Sequence, residues 1–182
     1  MGNIRKFLIE ALADNEISEM YESWVNEAGR EGALKTKPTD EQISKAITDR
    51  YYVGIYYKES EDPNGEQVLK GFRLIEPYVL GQGYKMNGRV YHNKRKYLRA
   101  FVIKDTLKDK EIKWTASRRK SVSKTQKVPY WRMFRVDRIE QFMVFPKKIT
   151  KFREKYNEKD KCMGRIIASI PKTAFKGQSS IK

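Results

Sequence analysis

Two stretches constrain this chain most: Lys96-Tyr97-Leu98-Arg99-Ala100-Phe101 and Trp131-Arg132-Met133-Phe134-Arg135-Val136-Asp137-Arg138-Ile139. Each sets arginines and aromatics among the apolar residues of an expected strand. A guanidinium walled in by apolar neighbours loses much of its hydration and needs an anion close by. That anion is either a carboxylate of the chain itself or a phosphate on a ligand. The fold must therefore hold charged forks against or inside a sheet.

The rest of the chain supplies the elements around them. Ile4, Phe7, Leu8, Ala11 and Leu12 follow helical spacing, as do Ile17, Met20, Tyr21, Trp24, Val25 and Ala28. With Asp14 as a cap between the runs and Gly29 and Gly32 after them, this reads as two short helices or one bent one. Their apolar stripe is expected to pack on the rest of the protein, with Trp24 and Tyr21 as the alternative anchors for a neighbouring subunit. Thr39 and Gln42 form a capping box for a helix buried through Ile43, Ala46 and Ile47. Val53, Ile55 and Tyr57 alternate as in a half-buried strand, and a second strand runs from Val68 to Glu76, where Pro77 ends it. Asn87-Gly88 predicts a hairpin turn between Tyr84-Lys85-Met86 and Arg89-Val90-Tyr91. Further strands are expected over Lys96 to Lys104, Trp131 to Val136 and Gln141 to Phe145. Pro146 then opens a helix with Ile149, Phe152 and Tyr156 on one face. Five or six short antiparallel strands with tight turns predict a small barrel.

Charge divides the chain. The net charge is +16, but residues 1–84 carry −5 and residues 85–182 carry +21. Between 113 and 127 lie Lys113, Arg118, Arg119, Lys120, Lys124 and Lys127 without one acidic residue. Such a segment suits a phosphate backbone, and the acidic N-terminal part suits another task. The single cysteine, Cys162, excludes an intrachain disulfide, and with one histidine, His92, no zinc finger can be built from this chain alone. A reducing compartment is expected. The N-terminal residues lack the apolar run of a signal peptide, and no run approaches a membrane span.

The order of motifs resembles the WYL domain, a bacterial and phage Sm-like β-barrel. The residues that carry the resemblance are Val53, Ile55 and Tyr57; Arg73, Ile75, Pro77 and Leu80; Lys96-Tyr97-Leu98-Arg99-Ala100 at the Trp-Tyr-Leu position; and Arg132, Phe134, Arg135, Asp137, Arg138 and Ile139. The likeness spans about residues 42–146. It implies a basic pocket that binds nucleic acid or a nucleotide, built from Tyr97, Arg99, Arg132 and Arg138, with Arg73 and Arg135 assisting; Lys96 is a further candidate for anion contact in this chain. Guanidinium forks grip phosphate bidentately, and a tyrosine offers a stacking face. Arg118, Arg119 and Lys120 are candidates for non-specific backbone contact. The chain departs from the family in having Lys96 for the tryptophan, in the basic stretch 113–127, and in lacking a helix-turn-helix ahead of the barrel.

Catalytic signals are poor. His92 stands beside Asn93-Lys94-Arg95 near a hairpin end and reads as an exposed turn residue. Cys162 has no partner histidine in sight. Gly81-Gln82-Gly83 lacks the third glycine of a dinucleotide loop, and no Gly-Lys-Ser/Thr phosphate loop exists. Neither catalysis nor a metal or cofactor is expected.

The sequence thus predicts an α+β protein: an acidic helical element over 1–37, a WYL-like barrel over 38–146 with a basic insertion at 105–129, and a basic C-terminal helix and tail over 147–182. The expected function is binding of DNA or RNA in a bacterial cytoplasm, with no membrane partner. One alternative is a structural subunit of a phage virion, with homo- or hetero-oligomeric contacts through the acidic helices. A second is a nucleotide-sensing regulatory module.

Overall fold

The computed structural model describes residues 2–30, 36–59, 70–86, 89–107, 129–150 and 152–175, with the side chains of 2–14, 84–86 and 89–93 set aside. A long helix, α1 (Gly2–Ala28), precedes a short one, α2 (Asp40–Thr48). Six strands follow: β1 (Tyr51–Lys58), β2 (Lys70–Met86), β3 (Arg89–Asp105), β4 (Tyr130–Arg135), β5 (Ile139–Lys148) and β6 (Met163–Ser169). The order in the sheet is β4-β3-β2-β1-β5, all antiparallel, with β6 on β2. The chain is α+β, as expected, but its sheet is not closed into a barrel.

A short connection bends this sheet strongly. β4 and β5 sit at opposite ends of the five-strand path, four inter-strand steps or about 19 Å apart in a flat sheet. Only the 3-10 turn Val136–Arg138 joins them, and a link of that length spans at most about 14 Å. The sheet must therefore curl until its ends approach. The rings of Tyr57 on β1 and Phe134 on β4 meet across the curl at 5.0 Å, and the Arg135 amide donates to the Tyr57 hydroxyl at 3.2 Å.

β2 is the axis of the fold because it changes neighbours midway. Lys70 to Ile75 pair with β1, and Val79 to Tyr84 pair with β6, while β3 follows β2 along the other side. Pro77 falls at the changeover. Its missing amide costs no bond to β1 or β6 there, so the strand runs through the proline instead of ending at it. Met86 pairs with Arg89, as the predicted hairpin requires, and Asn87-Gly88 itself lies outside the described residues. His92, expected in a turn, belongs to β3.

Helix α2 starts where the capping box placed it. The Gln42 amide donates to Thr39 Oγ1 at 3.2 Å, and the Thr39 amide donates to Gln42 Oε1 at 2.9 Å, a pairing worth about 1 kcal/mol. Its stripe of Ile43, Ala46 and Ile47 is buried against β1, β2 and β6. The first two predicted helices are one: α1 runs through Asp14 without a break. Ile17, Tyr21 and Trp24 are buried against Leu74 and Phe145 of the chain's own sheet. Tyr21 and Trp24 are thereby committed internally and are not the subunit anchors considered above. A Cβ on Gly54 would stand 2.6 Å from the Trp24 ring, so the absent side chain is what admits the indole.

The C-terminal helix expected from Pro146 is not formed among the described residues. Pro146 is exposed within β5, an edge strand where its lack of an amide is tolerated. Residues 152–162 are irregular, and β6 follows.

Candidate functional site

Register and the two-residue period of a strand decide which predicted site residues meet. β3 and β4 pair without a bulge: Tyr97 with Arg135, Leu98 with Phe134, Arg99 with Met133, Ala100 with Arg132, and Phe101 with Trp131. Alternation sends Arg132, Phe134 and Tyr130 to the inner face of the curl and Tyr97, Arg99, Phe101 and Arg135 to the outer face. The single pocket of Tyr97, Arg99, Arg132 and Arg138 is therefore not assembled, because Arg132 and Arg99 lie on opposite sides of the sheet.

The inner face holds a closed network. Arg73 Nε donates to Asp105 Oδ2 at 3.1 Å, and Arg73 Nη2 donates to Glu59 Oε1 at 2.5 Å. Arg132 Nη2 donates to the other Glu59 oxygen at 2.5 Å, and the Tyr130 hydroxyl donates to Asp105 Oδ2 at 2.7 Å. Both guanidinium groups lie over the Tyr57 ring, at 5.3 and 5.5 Å, and over the Phe134 ring, at 5.7 and 5.1 Å. Two cations and two carboxylates leave the network neutral.

Its two arginines differ in access. The Arg73 side chain is 1% exposed and that of Arg132 is 29% exposed. Burial works against the Arg132 charge, but Glu59 outweighs it and, with Tyr130, holds the guanidinium above its usual range. Burial and the Asp105 carboxylate push the Tyr130 hydroxyl up, so it stays a donor. Arg73 Nη1 is buried with no hydrogen-bond partner among the described residues. Glu59 directly follows β1, and Asp105 closes β3. The segments 60–69 and 108–128 thus join the described chain beside this network.

On the outer face Arg99 and Arg135 each have their own carboxylate. Arg99 Nε donates to Asp160 Oδ2 at 2.6 Å. Arg135 grips Asp137 with Nε at 3.0 Å and Nη2 at 2.5 Å, and this contact lowers the Asp137 carboxyl below its ordinary value. Tyr97 is buried next to them. Lys96, which alternation sends to the face of Leu98 rather than that of Tyr97, pairs in register with Gln82 and reaches Asp40 at the start of α2. Arg138 is half-buried and forms no ion pair among the described residues. Arg118, Arg119 and Lys120 lie outside the described residues.

One cluster was not foreseen. Glu76, 1% exposed, accepts from Arg153 Nη2 at 2.6 Å and Nε at 2.8 Å, and from the Tyr78 hydroxyl at 3.1 Å. Burial, then Glu76, drives the Tyr78 hydroxyl far above its usual range, so it remains protonated. The Arg153 guanidinium lies 4.6 Å from the Phe101 ring centre, and Trp131 Nε1 donates to the Glu154 carbonyl at 2.9 Å. These contacts strap residues 152–156 across the outer face. The only hint in the sequence was a lone acid, Glu76, inside an apolar strand.

Neither models of known protein families, nor curated proteins, nor solved structures yield a match to this chain. No helix among the described residues is long and apolar enough to cross a membrane. Among the same residues, no group of three or more histidine, cysteine or acidic side chains is placed to hold a metal ion.

Proposed function

We propose that this chain is a non-catalytic nucleic-acid-binding protein built on a WYL-like, Sm-type sheet. The motif stretches around Val53, Arg73, Tyr97 and Arg132 fall on β1, β2, β3 and β4, four adjacent strands of one curled sheet, which supports the WYL-like reading. The observation that carries the functional reading is the inequality of Arg73 and Arg132. Arg73 is locked between two carboxylates, whereas Arg132 shares one carboxylate with Arg73 and keeps a solvent-facing side. Arg132 also stands over two aromatic faces, beside the point where the basic segment 108–128 joins the sheet. A guanidinium held among aromatic rings and open on one edge suits a phosphate or a stacked base. The predicted contributions of Arg99, Arg138 and the cations Arg118, Arg119 and Lys120 belong to the same proposal as backbone contacts.

The test is an anisotropy titration of a labelled single-stranded oligonucleotide against the full chain and its Arg132→Met variant. Removing Arg132 leaves Glu59 paired with Arg73 but the network one cation short, so the urea midpoint is expected to fall modestly while the protein stays folded under the conditions of the titration. Loss of one desolvated phosphate contact is expected to weaken binding by about tenfold. No binding by the unaltered chain, or equal affinity of the two proteins, contradicts the proposal.

A further inference from the structure

Residues 153–161 read Arg-Glu-Lys-Tyr-Asn-Glu-Lys-Asp-Lys, with four cations and three acids. By composition this stretch is nearly balanced. The fold makes it basic. From 154 to 161 exposure alternates residue by residue: Glu154, Tyr156, Glu158 and Asp160 are buried or half-buried, and Lys155, Asn157, Lys159 and Lys161 are exposed.

The inward residues are each tied down. The Glu154 carbonyl accepts from Trp131, and the Tyr156 hydroxyl donates to the Ile170 carbonyl. Glu158 Oε2 accepts from the Lys172 amide at 2.8 Å, and Asp160 accepts from Arg99 Nε and, at 2.8 Å, from the Cys162 amide. Two of the three acids thus spend their charge on backbone amides and a sheet arginine. Lys155, Lys159 and Lys161 form no ion pair among the described residues, and neither does Lys172, which the Glu158 contact places beside the row. By contrast, Lys70, Lys96, Lys104 and Lys147 each hold a carboxylate.

From this sorting we infer that the outward lysines Lys155, Lys159, Lys161 and Lys172 form a contact surface for the phosphate backbone of nucleic acid. The inference rests on the nucleic-acid reading above and deepens it by naming a second surface, separated from Arg132 by the thickness of the sheet. Lysine ammonium groups act as point charges without a bidentate geometry, so this surface attracts and positions the strand without reading its sequence. A row that served solubility alone would not require the acids between its lysines to be withdrawn and bonded.

The test compares three full-length proteins by anisotropy with labelled single-stranded and duplex oligonucleotides over a salt series. They are the unaltered chain, a row variant (Lys155→Gln, Lys159→Gln, Lys161→Gln, Lys172→Gln), and a charge-matched control (Arg30→Gln, Lys37→Gln, Lys45→Gln, Lys148→Gln). All eight side chains are exposed. The row variant is expected to bind about tenfold more weakly or worse, with its log–log salt slope on single strands smaller in magnitude by about 3. The control is expected to stay within about twofold of the unaltered chain. If the row variant matches the unaltered chain, or both variants weaken equally, the lysine surface is refuted while nucleic-acid binding stands. If the unaltered chain binds neither oligonucleotide, the broader reading falls and the surface with it.

Discussion

An Arg73→Met variant is expected to lose about 3–5 kcal/mol of folding stability, a large share of what a domain of this size holds. Arg73 is 1% exposed, and its partners Asp105 and Glu59 are 2% and 16% exposed at their side chains. Without Arg73, Asp105 keeps the Tyr130 hydroxyl and the Leu107 amide as donors but has no bonded cation. Arg132 is already bonded to Glu59 and cannot replace both contacts. The cost is thus that of a buried carboxylate left without its counter-charge, which exceeds that of a surface pair several-fold. Changing Asp105 as well, to asparagine, removes the stranded charge, keeps a carbonyl oxygen for the Leu107 amide and lets the side-chain NH2 donate to the Tyr130 hydroxyl, so Arg73→Met/Asp105→Asn is expected to regain part of the loss. Urea unfolding of the single and double variants reads both effects. A shift below about 1 kcal/mol in the single variant would place Arg73 among ordinary surface pairs.

Arg153→Leu is expected to cost about 3 kcal/mol and to loosen the strap over the outer face. Glu76 lies at the centre of β2 with both carboxylate oxygens on Arg153, and the Tyr78 hydroxyl is its remaining donor. The arginine side chain is 15% exposed, so water offsets part of the penalty. The Arg153 amide donates to the Tyr78 hydroxyl, and the Tyr156 amide donates to the Arg153 carbonyl. Native-state hydrogen exchange should therefore show both amides opening well before global unfolding. Replacing Glu76 by leucine in the same protein removes the stranded charge and should restore most of the stability. Unchanged exchange at residues 153 and 156 would mean that aromatic packing alone holds the strap.

What could be read in advance was local. The Thr39–Gln42 box, the β2–β3 hairpin and the strands bearing Tyr97 and Arg132 depend on residues close in sequence, and they formed. Pro77 and Pro146 misled because a missing amide matters only where a neighbour needs it. Pro77 falls between two neighbours and Pro146 on an edge. β6 went unseen although Ile166-Ile167-Ala168, closed by Pro171, carries a strand signal, because the expected helix and tail had claimed that region.

The site was less legible than the fold. The partners that decide the state of Arg73, Arg99, Arg132 and Arg153 are Asp105, Asp160, Glu59 and Glu76, which lie 32, 61, 73 and 77 positions away. No local pattern announces such pairs. The opposite facing of Arg99 and Arg132 follows from register, which the sequence does not display. The lysine row was legible in principle, since Glu-Lys-Tyr-Asn-Glu-Lys-Asp-Lys alternates with period two. It was missed because Phe152 and Tyr156 also fit a helical face.

The salt dependence of binding to a labelled single strand tests the central claim most directly. If the arginine and lysine surfaces together neutralise about six phosphates, the logarithm of the affinity should fall with the logarithm of salt concentration at a slope of about −4. A flat response, or no binding at low salt, would contradict the claim that the unmatched positive charge of this fold exists to hold nucleic acid.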